Sequence, residues 1–327
     1  MAHVLVTGAS GFLGEAVMAR LAGHDALGID PVPSPDAGRR HVIDDLSDRK
    51  RLVELLGAEK ITHVIHCGGV SGPMVLADDP ARVIAINVAG SVNLLQAALE
   101  SGVKTFIYCS SVSAVGYFYE AEPIDVDYPL NPASTYGASK AAMDMVLRGL
   151  WRHVPLDLCS LRFTSIYGPG RNTRFVVDDI VAAAARGEPA SAEPTSDWPY
   201  IYVDDAADAA VAACFATKRS QLFYFIAYPE QVTLEDFAQA AAQAGKPVQL
   251  VIDHTKPRVR RGPVDIGPAR SAISASRRTS IIARALPGCW RSVASRQREP
   301  HLCRPAAAVI VWQSIFPTCF MDIADGP

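Results

Sequence analysis

Cysteines spaced as C-x-x-C are absent from this sequence, and the seven cysteines it has are scattered and odd in number. Such a set builds neither a disulfide frame nor a zinc site, so no metal is expected, and it reads as reduced thiols. An excess of basic charge is missing too. Lys and Arg total 31 against 34 Asp and Glu, a formal net charge of -3 with the signs mixed along the chain. The basic stripe that nucleic acid requires is therefore not there. No uninterrupted apolar run approaches the ~20 residues of a membrane span, and "AAAVIVW" near the end is far too short. The first strand begins within three residues of Met1, which leaves no room for the charged and apolar segments of a signal peptide. These absences point to a cytoplasmic protein that acts on small molecules. With 49% hydrophobic residues in 327 positions it can bury a large core.

What is present is an alternation. "HVLVTG" is a short β-branched run ending in glycine, and "GFLGEAVMARLAGH" continues with apolar residues at helical spacing. A short strand "ALGID", a helix near "RLVELLG", a strand "THVIHCG", a long helix "VIAINVAGSVNLLQAALESG" and a strand "TFIYCSS" follow. Strands alternating with helices of this length predict an α/β fold, a doubly wound parallel sheet covered on both faces. After "LDLCSLRFTSIYG" the pattern loosens into "YGPGRNTR" and "RGEPASAEPTSDWPY", with a further strand and helix at "YIYVDDAADAAVAACFA". These stretches predict loops over the carboxyl edge of the sheet, where ligands of such folds bind. The expected division is residues 1–165 for a dinucleotide-binding domain and 166–270 for a smaller substrate-binding region interleaved with the last strands. Residues 271–327 form an atypical tail.

"TGASGFLG" sets Gly8, Gly11 and Gly14 between the first strand and its helix. Glycines there allow a tight turn, a close approach of backbone amides to a pyrophosphate and close helix-on-strand packing; the helix N-terminus favours the negative charge. Phe12 and Leu13 belong to the same turn. Asp30 closes the second strand, 22 residues after Gly8. A carboxylate there can bond both ribose hydroxyls and repel a 2′-phosphate, which favours NAD over NADP. Arg39 and Arg40 could still reach a phosphate, and "IDPVP" could be only a turn.

In "STYGASKAAMD", Tyr136 precedes Lys140 by four residues, about one helical turn, so both project from one face. A free phenol titrates near pH ~10, and a nearby ammonium lowers that value toward a useful base. The same spacing also suits a plain polar helix face, so the pair needs independent support.

The glycine turn, the serines of "YCSS" and the Tyr136/Lys140 pair stand in an order that resembles the extended short-chain dehydrogenase/reductase family of NAD-dependent epimerases, dehydratases and dehydrogenases. The likeness covers roughly residues 3 to 265. It implies a Rossmann-type fold, a homodimer built through the helices near residues 90 and 140, and a sugar or sugar-acid substrate. It places Asp45 and Leu46 of "DDLSD" on the adenine, Gly68 and Gly69 of "HCGG" along the cofactor, and Asn87 in the active-site network. It makes Ser111 the hydroxyl that bonds the substrate oxygen, with Ser110 and Ser113 as alternates. Tyr136 becomes the proton carrier, and Lys140 the holder of the nicotinamide ribose.

Some positions depart from the family pattern. Members that expel water carry an acidic pair after the serine or threonine of this strand, whereas Val112 and Ser113 follow Ser111. A dehydratase is thereby disfavoured, leaving epimerase or dehydrogenase. Nucleotide-sugar members carry an asparagine where Ser165 stands and an arginine where Trp198 and Pro199 stand. Both groups contact a diphosphate, so their absence weakens that substrate class. Arg171, Arg174 and the run "RVRRG" could supply donors by another route or bind a sugar-acid carboxylate, and Trp198 could stack on a sugar. A non-catalytic NAD-binding sensor is the other class considered, though it would not need the Ser/Tyr/Lys set. Beyond "VDIGPAR" the chain loses helical period, has no lysine and concentrates Arg, Ser, Pro and Cys. That break reads as a frameshifted or disordered terminus, or as a lineage-specific extension.

Overall fold

The computed structural model describes residues 2–71, 75–118, 122–171, 173, 175–194, 199–217, 219–228, 232–255 and 262–267. Strand β1 (His3–Thr7) leads through the glycine turn into helix α1 (Phe12–Arg20), then β2 (Asp25–Asp30), β3 (His41–Ile43), α2 (Arg49–Ala58) and β4 (His63–His66). A continuous 21-residue helical rod, Pro80–Glu100, follows. It consists of α3 (Pro80–Ile84), a π-helical turn at Ala85–Gly90 and α4 (Ser91–Glu100), and is succeeded by β5 (Thr105–Ser111). Next come α5 (Thr135–Leu150), β6 (Asp157–Phe163), β7 (Ser165–Tyr167), α6 (Val176–Arg186), β8 (Ala190–Ala192) and β9 (Tyr200–Tyr202). The last elements are α7 (Val203–Phe215), β10 (Phe223–Ile226), α8 (Leu234–Gln243) and β11 (Leu250–Ile252).

Seven strands form one parallel sheet in the order β10-β6-β5-β4-β1-β2-β3. Its strands are apolar on both faces because both are covered. Val4 and Val6 of β1 join Ile65, Ile107 and Leu161 in one core, while Leu5 joins Val64, Phe106 and Leu158 in the other. Alternate residues of a strand point to opposite faces, so one run feeds two cores. The strand order reverses between β1 and β4, which opens a crevice at their carboxyl ends. Helix α3–α4 has a mean hydropathy of 1.4, apolar enough by composition for a membrane span. Here Val83, Leu94, Leu95, Ala97 and Ala98 are buried, the last four in the core beneath the sheet.

Strand β10 pairs with β6, Phe223 opposite Ser160, and so returns the chain to the sheet after the β7–β9 excursion. Residues 262–267 form a strap: the Asp265 amide donates to the Ile124 carbonyl at 2.8 Å. Val264 and Ile266 bury with Val115, Phe118 and Phe225. The strap thus ties down the loop that follows β5. Residues 271–327, the atypical tail, lie outside the described residues.

Candidate active site

A cavity of about 680 Å³ occupies the crevice. Its walls include Gly8, Gly11, Phe12, Leu13, Gly14, Asp30, Asp45, Leu46, Gly68 and Gly69 at one end. Ser111, Ser113, Tyr136, Lys140, Ser165 and Arg171 stand at the other. Residues as far apart in sequence as Gly8 and Arg171 therefore share one space. A second hollow of about 480 Å³ adjoins α5 and is lined by Tyr128, Met145 and Arg148. Its cations are already committed, Arg148 to Asp127 and Arg162 to Asp144, each at 2.7 Å.

The cradle at the end of β1 is made of backbone. Gly8 has φ +64°, and a methyl group on it would stand 2.6 Å from the Gly68 Cα. A methyl on Gly14 would stand 1.9 Å from the Gly8 carbonyl oxygen. Any side chain at either place would push the turn away from α1 and from β4. Helix α1 then presents its N-terminus to the cavity, with Gly11 as the residue before its first turn. This cradle fits a dinucleotide pyrophosphate.

Asp30 accepts from the Ser10 amide at 3.2 Å and the Val32 amide at 2.9 Å, one on each carboxylate oxygen. Burial raises its pKa, against the opposing pull of those amides. Each oxygen keeps acceptor capacity for a ribose hydroxyl. Arg39 and Arg40, the cations that could have met a 2′-phosphate, are engaged elsewhere: Arg39 with Glu15 and Asp36, Arg40 with Asp25 and Glu59. The acidic end is thus suited to NAD. Asp45 accepts from the Ser47 amide at 2.7 Å, and Asn93 bonds the Leu46 and Ser47 carbonyls, which fixes the loop after β3.

Ser134 caps α5 by accepting from the Gly137 amide at 3.1 Å, which sets where Tyr136 enters the cavity. The Lys140 Nζ is buried, donates to the Cys109 carbonyl at 2.9 Å, and stands 4.7 Å from the Tyr108 ring and 5.9 Å from the Tyr136 ring. Burial disfavours its ammonium, yet Tyr108, Tyr136 and Cys109 outweigh that and hold its pKa above the ordinary lysine value. The Ser111 hydroxyl oxygen accepts from the Ser113 amide at 3.1 Å. Its own proton remains to be donated toward the cavity. Ser110 is nearly buried, and its hydroxyl has no partner among the described residues.

Asn87, in the π-helical turn, does not line the cavity; it stands behind the wall and braces it. Its side chain accepts from the Val70 amide at 2.8 Å and donates to the Val70 carbonyl at 3.0 Å and to Ser139 at 2.9 Å. Ser139 in turn donates to the Tyr136 carbonyl at 2.7 Å. Sequence reasoning missed how far this network reaches. His66 Nε2 lies 2.7 Å from Ser91, whose hydroxyl donates to the Asn87 carbonyl; His66 Nδ1 lies 2.6 Å from Thr7 Oγ1, which accepts from the Gly68 amide. Every donor finds an acceptor only if His66 carries its proton on Nε2. Burial lowers the His66 pKa to about 3, with the Lys140 charge adding to it, so the ring is neutral. A histidine at a strand end, with one residue between it and the Gly68–Gly69 pair, was the available signal. The π turn, a feature common at functional sites, has no sequence mark of its own.

At the far end the Arg171 guanidinium donates to the Ile166 carbonyl at 2.7 Å and lies 4.4 Å from the Phe175 ring and 5.9 Å from the Phe12 ring. Ser165 lines the same end. Arg174 and Trp198 lie outside the described residues.

Residues 4–223 match the model of the NAD dependent epimerase/dehydratase family. The chain is 29% identical over 262 residues to a UDP-glucose 4-epimerase of Mycolicibacterium smegmatis, covering 75% of this chain and 83% of that protein. It is 29% identical over 195 residues to a uronate dehydrogenase of Pseudomonas putida, covering 57% of this chain and 70% of that protein. Among solved structures it is similar to MoeE5 in complex with UDP-glucuronic acid and NAD. That match has a TM-score of 0.76 and 25% identity, and covers 90% of this chain and 100% of that one.

Proposed function

The chain belongs to the NAD dependent epimerase/dehydratase family, and from that premise we propose that it inverts a secondary alcohol of a nucleoside-diphosphate sugar, as a 4-epimerase with retained NAD. The observation that carries the reading is the convergence of Ser111, Tyr136 and Lys140 on the cavity that begins at the glycine cradle. NAD would be held by the Gly8–Gly14 turn and Asp30 and would supply a reversible hydride acceptor for the carbon bearing the alcohol. The Tyr136 oxygen takes the hydroxyl proton, and the Lys140 ammonium, held by the Cys109 carbonyl, stands beside its ring. Ser111 donates its hydroxyl proton to the same substrate oxygen and holds it in place. Arg171 supplies a charged donor for the diphosphate in place of the asparagine and arginine missing at Ser165 and Trp198.

Oxidation of a sugar acid is the second reading, and one observation favours it: Ser165 lines the end where nucleotide-sugar members carry an asparagine. A homodimer is part of the proposal. Ile84 is 40% and Met145 53% exposed, so both long helices present apolar side chains outward. The four described cysteines are free thiols, which accords with the cytoplasm.

Two measurements test the assignment. Protein denatured after purification is assayed for released NAD, and intact protein is incubated with UDP-glucose and UDP-glucuronic acid while the products are followed by proton NMR. Epimer formation at equimolar NAD content, with no rise in absorbance from NADH, is the expected result. Net NADH from a free uronate with no epimer formed would replace it with the dehydrogenase.

A further inference from the structure

Two thiols meet in the wall of the cavity where a proton-transfer site has no use for them. Cys67 follows β4 and Cys109 lies in β5, and their Sγ atoms are 3.5 Å apart. The strands are paired in parallel with His66 opposite Tyr108, so the cysteines are the next pair in register. Neighbouring strands run roughly 4.8 Å apart, inside the ~4.4–6.8 Å range of Cα separations that a disulfide spans. Both residues line the cavity, Cys67 half-buried and Cys109 nearly buried. Cys159 and Cys214, the other described cysteines, are buried and do not line the cavity.

We propose that Cys67 and Cys109 form an oxidisable dithiol, a modification site for disulfide oxidants, whose closure to a disulfide weakens the hold on NAD. The Cys67 thiolate attacks a low-molecular-weight disulfide, forming a mixed disulfide and releasing one thiol. The Cys109 thiolate then attacks Cys67 Sγ and expels the second thiol. Both cysteines are oxidised, the reagent disulfide is reduced to two thiols, and the two cysteine protons end on them.

The consequence follows from what the two residues carry. The Cys109 carbonyl holds Lys140 Nζ at 2.9 Å. Cys67 precedes Gly68, whose amide bonds Thr7 and whose Cα abuts the Gly8 turn. Bringing the sulfurs from 3.5 Å to about 2.05 Å rotates both side chains within the cavity wall, between the carbonyl that holds Lys140 and the turn that packs on Gly8. The hydrogen bond to Cys109 and burial raise the Cys67 pKa, so exchange is slow at neutral pH and accelerates as pH rises.

The test uses the full chain, stripped of NAD, incubated with oxidised glutathione and quenched by alkylation. Intact mass and peptide mapping are expected to give the loss of two hydrogens and a Cys67–Cys109 bridge, reversed by dithiothreitol and slowed by added NAD. Cys67→Ser and Cys109→Ser should each fail to form the bridge, the latter stopping at a glutathione adduct on Cys67. Two alkylated thiols after treatment, or a bridge to Cys289, Cys303 or Cys319 instead, would overturn the site. NAD titration of oxidised against reduced wild-type protein should show affinity weakened about tenfold, near the worth of one well-placed hydrogen bond. Equal affinity in the two forms would overturn the coupling to the cofactor. Neither readout depends on which sugar the enzyme takes, so the dithiol and the epimerase assignment fail separately.

Discussion

The two ends of the cavity are made of different material. At the cofactor end the wall is backbone: the Gly8 turn touches Gly68, α1 closes over Gly8 through Gly14, and Asp30 is gripped by two amides. At the opposite end, where we propose that the substrate sits, it is side chains carried by short elements and loops, with Ser113 after β5, Ser165 in β7 and Arg171 beyond it. A backbone wall tolerates no added atoms but loses little when a neighbouring side chain changes. A side-chain wall behaves in the opposite way, which is how one scaffold keeps its cofactor while changing its substrate.

The largest effect should come from the functional group between the two ends. Tyr136→Phe removes the proposed proton carrier and should lower kcat by about 10²–10⁴-fold, while NAD content and Tm stay at wild-type values. A parallel fall in NAD content would mean that the two ends are not separable.

Acid should test the bracing network behind the cofactor wall. His66 is neutral when folded, with a pKa near 3, whereas the unfolded ring titrates near 6.5. Below pH 6.5 the unfolded chain therefore takes up a proton that the folded chain refuses. Stability falls as pH drops from 6.5 toward 3, by up to roughly 4 kcal/mol from this residue. His66→Gln should show a shallower loss of Tm than wild type over that window; parallel curves would remove His66 as the cause.

Adding one methyl separates the materials most directly. Gly14→Ala sets a carbon on the Gly8 carbonyl and should cost roughly 1–3 kcal/mol and abolish NAD retention. Ser113→Ala at the other end should leave Tm within about 0.5 kcal/mol of wild type. Thermal melts with NAD quantitation read both, and equal losses would erase the contrast. The smallest expected change is in Arg171→Lys, which keeps the charge but not the planar group beside Phe175. It should raise KM for the nucleotide sugar about tenfold with kcat and NAD content held, as steady-state kinetics would report.

The parallel sheet was legible because β-branched runs alternate with amphipathic stretches from His3 to Ser111. The cradle was legible because glycines cannot be exchanged where a turn, a strand and a helix meet. Less was visible where tertiary contact makes the element: β3, β10 and α6 carry only short or Ala-rich patterns and are fixed by pairing and burial. The Asn87 role was implied by resemblance, but its link through Ser91 to His66 and Thr7 spans 80 residues and has no local signature.

By itself the sequence determined the strand–helix alternation of the first half, the glycine turn at Gly8 to Gly14 and the one-turn spacing of Tyr136 and Lys140. Each follows from local periodicity or from the steric freedom of glycine. Only the tertiary structure decided that Arg39 and Arg40 are taken by acidic partners, that Asn87 braces the wall rather than lining it, and that Cys67 meets Cys109. Those outcomes depend on which strands lie side by side, and that is set by the packing of the whole sheet.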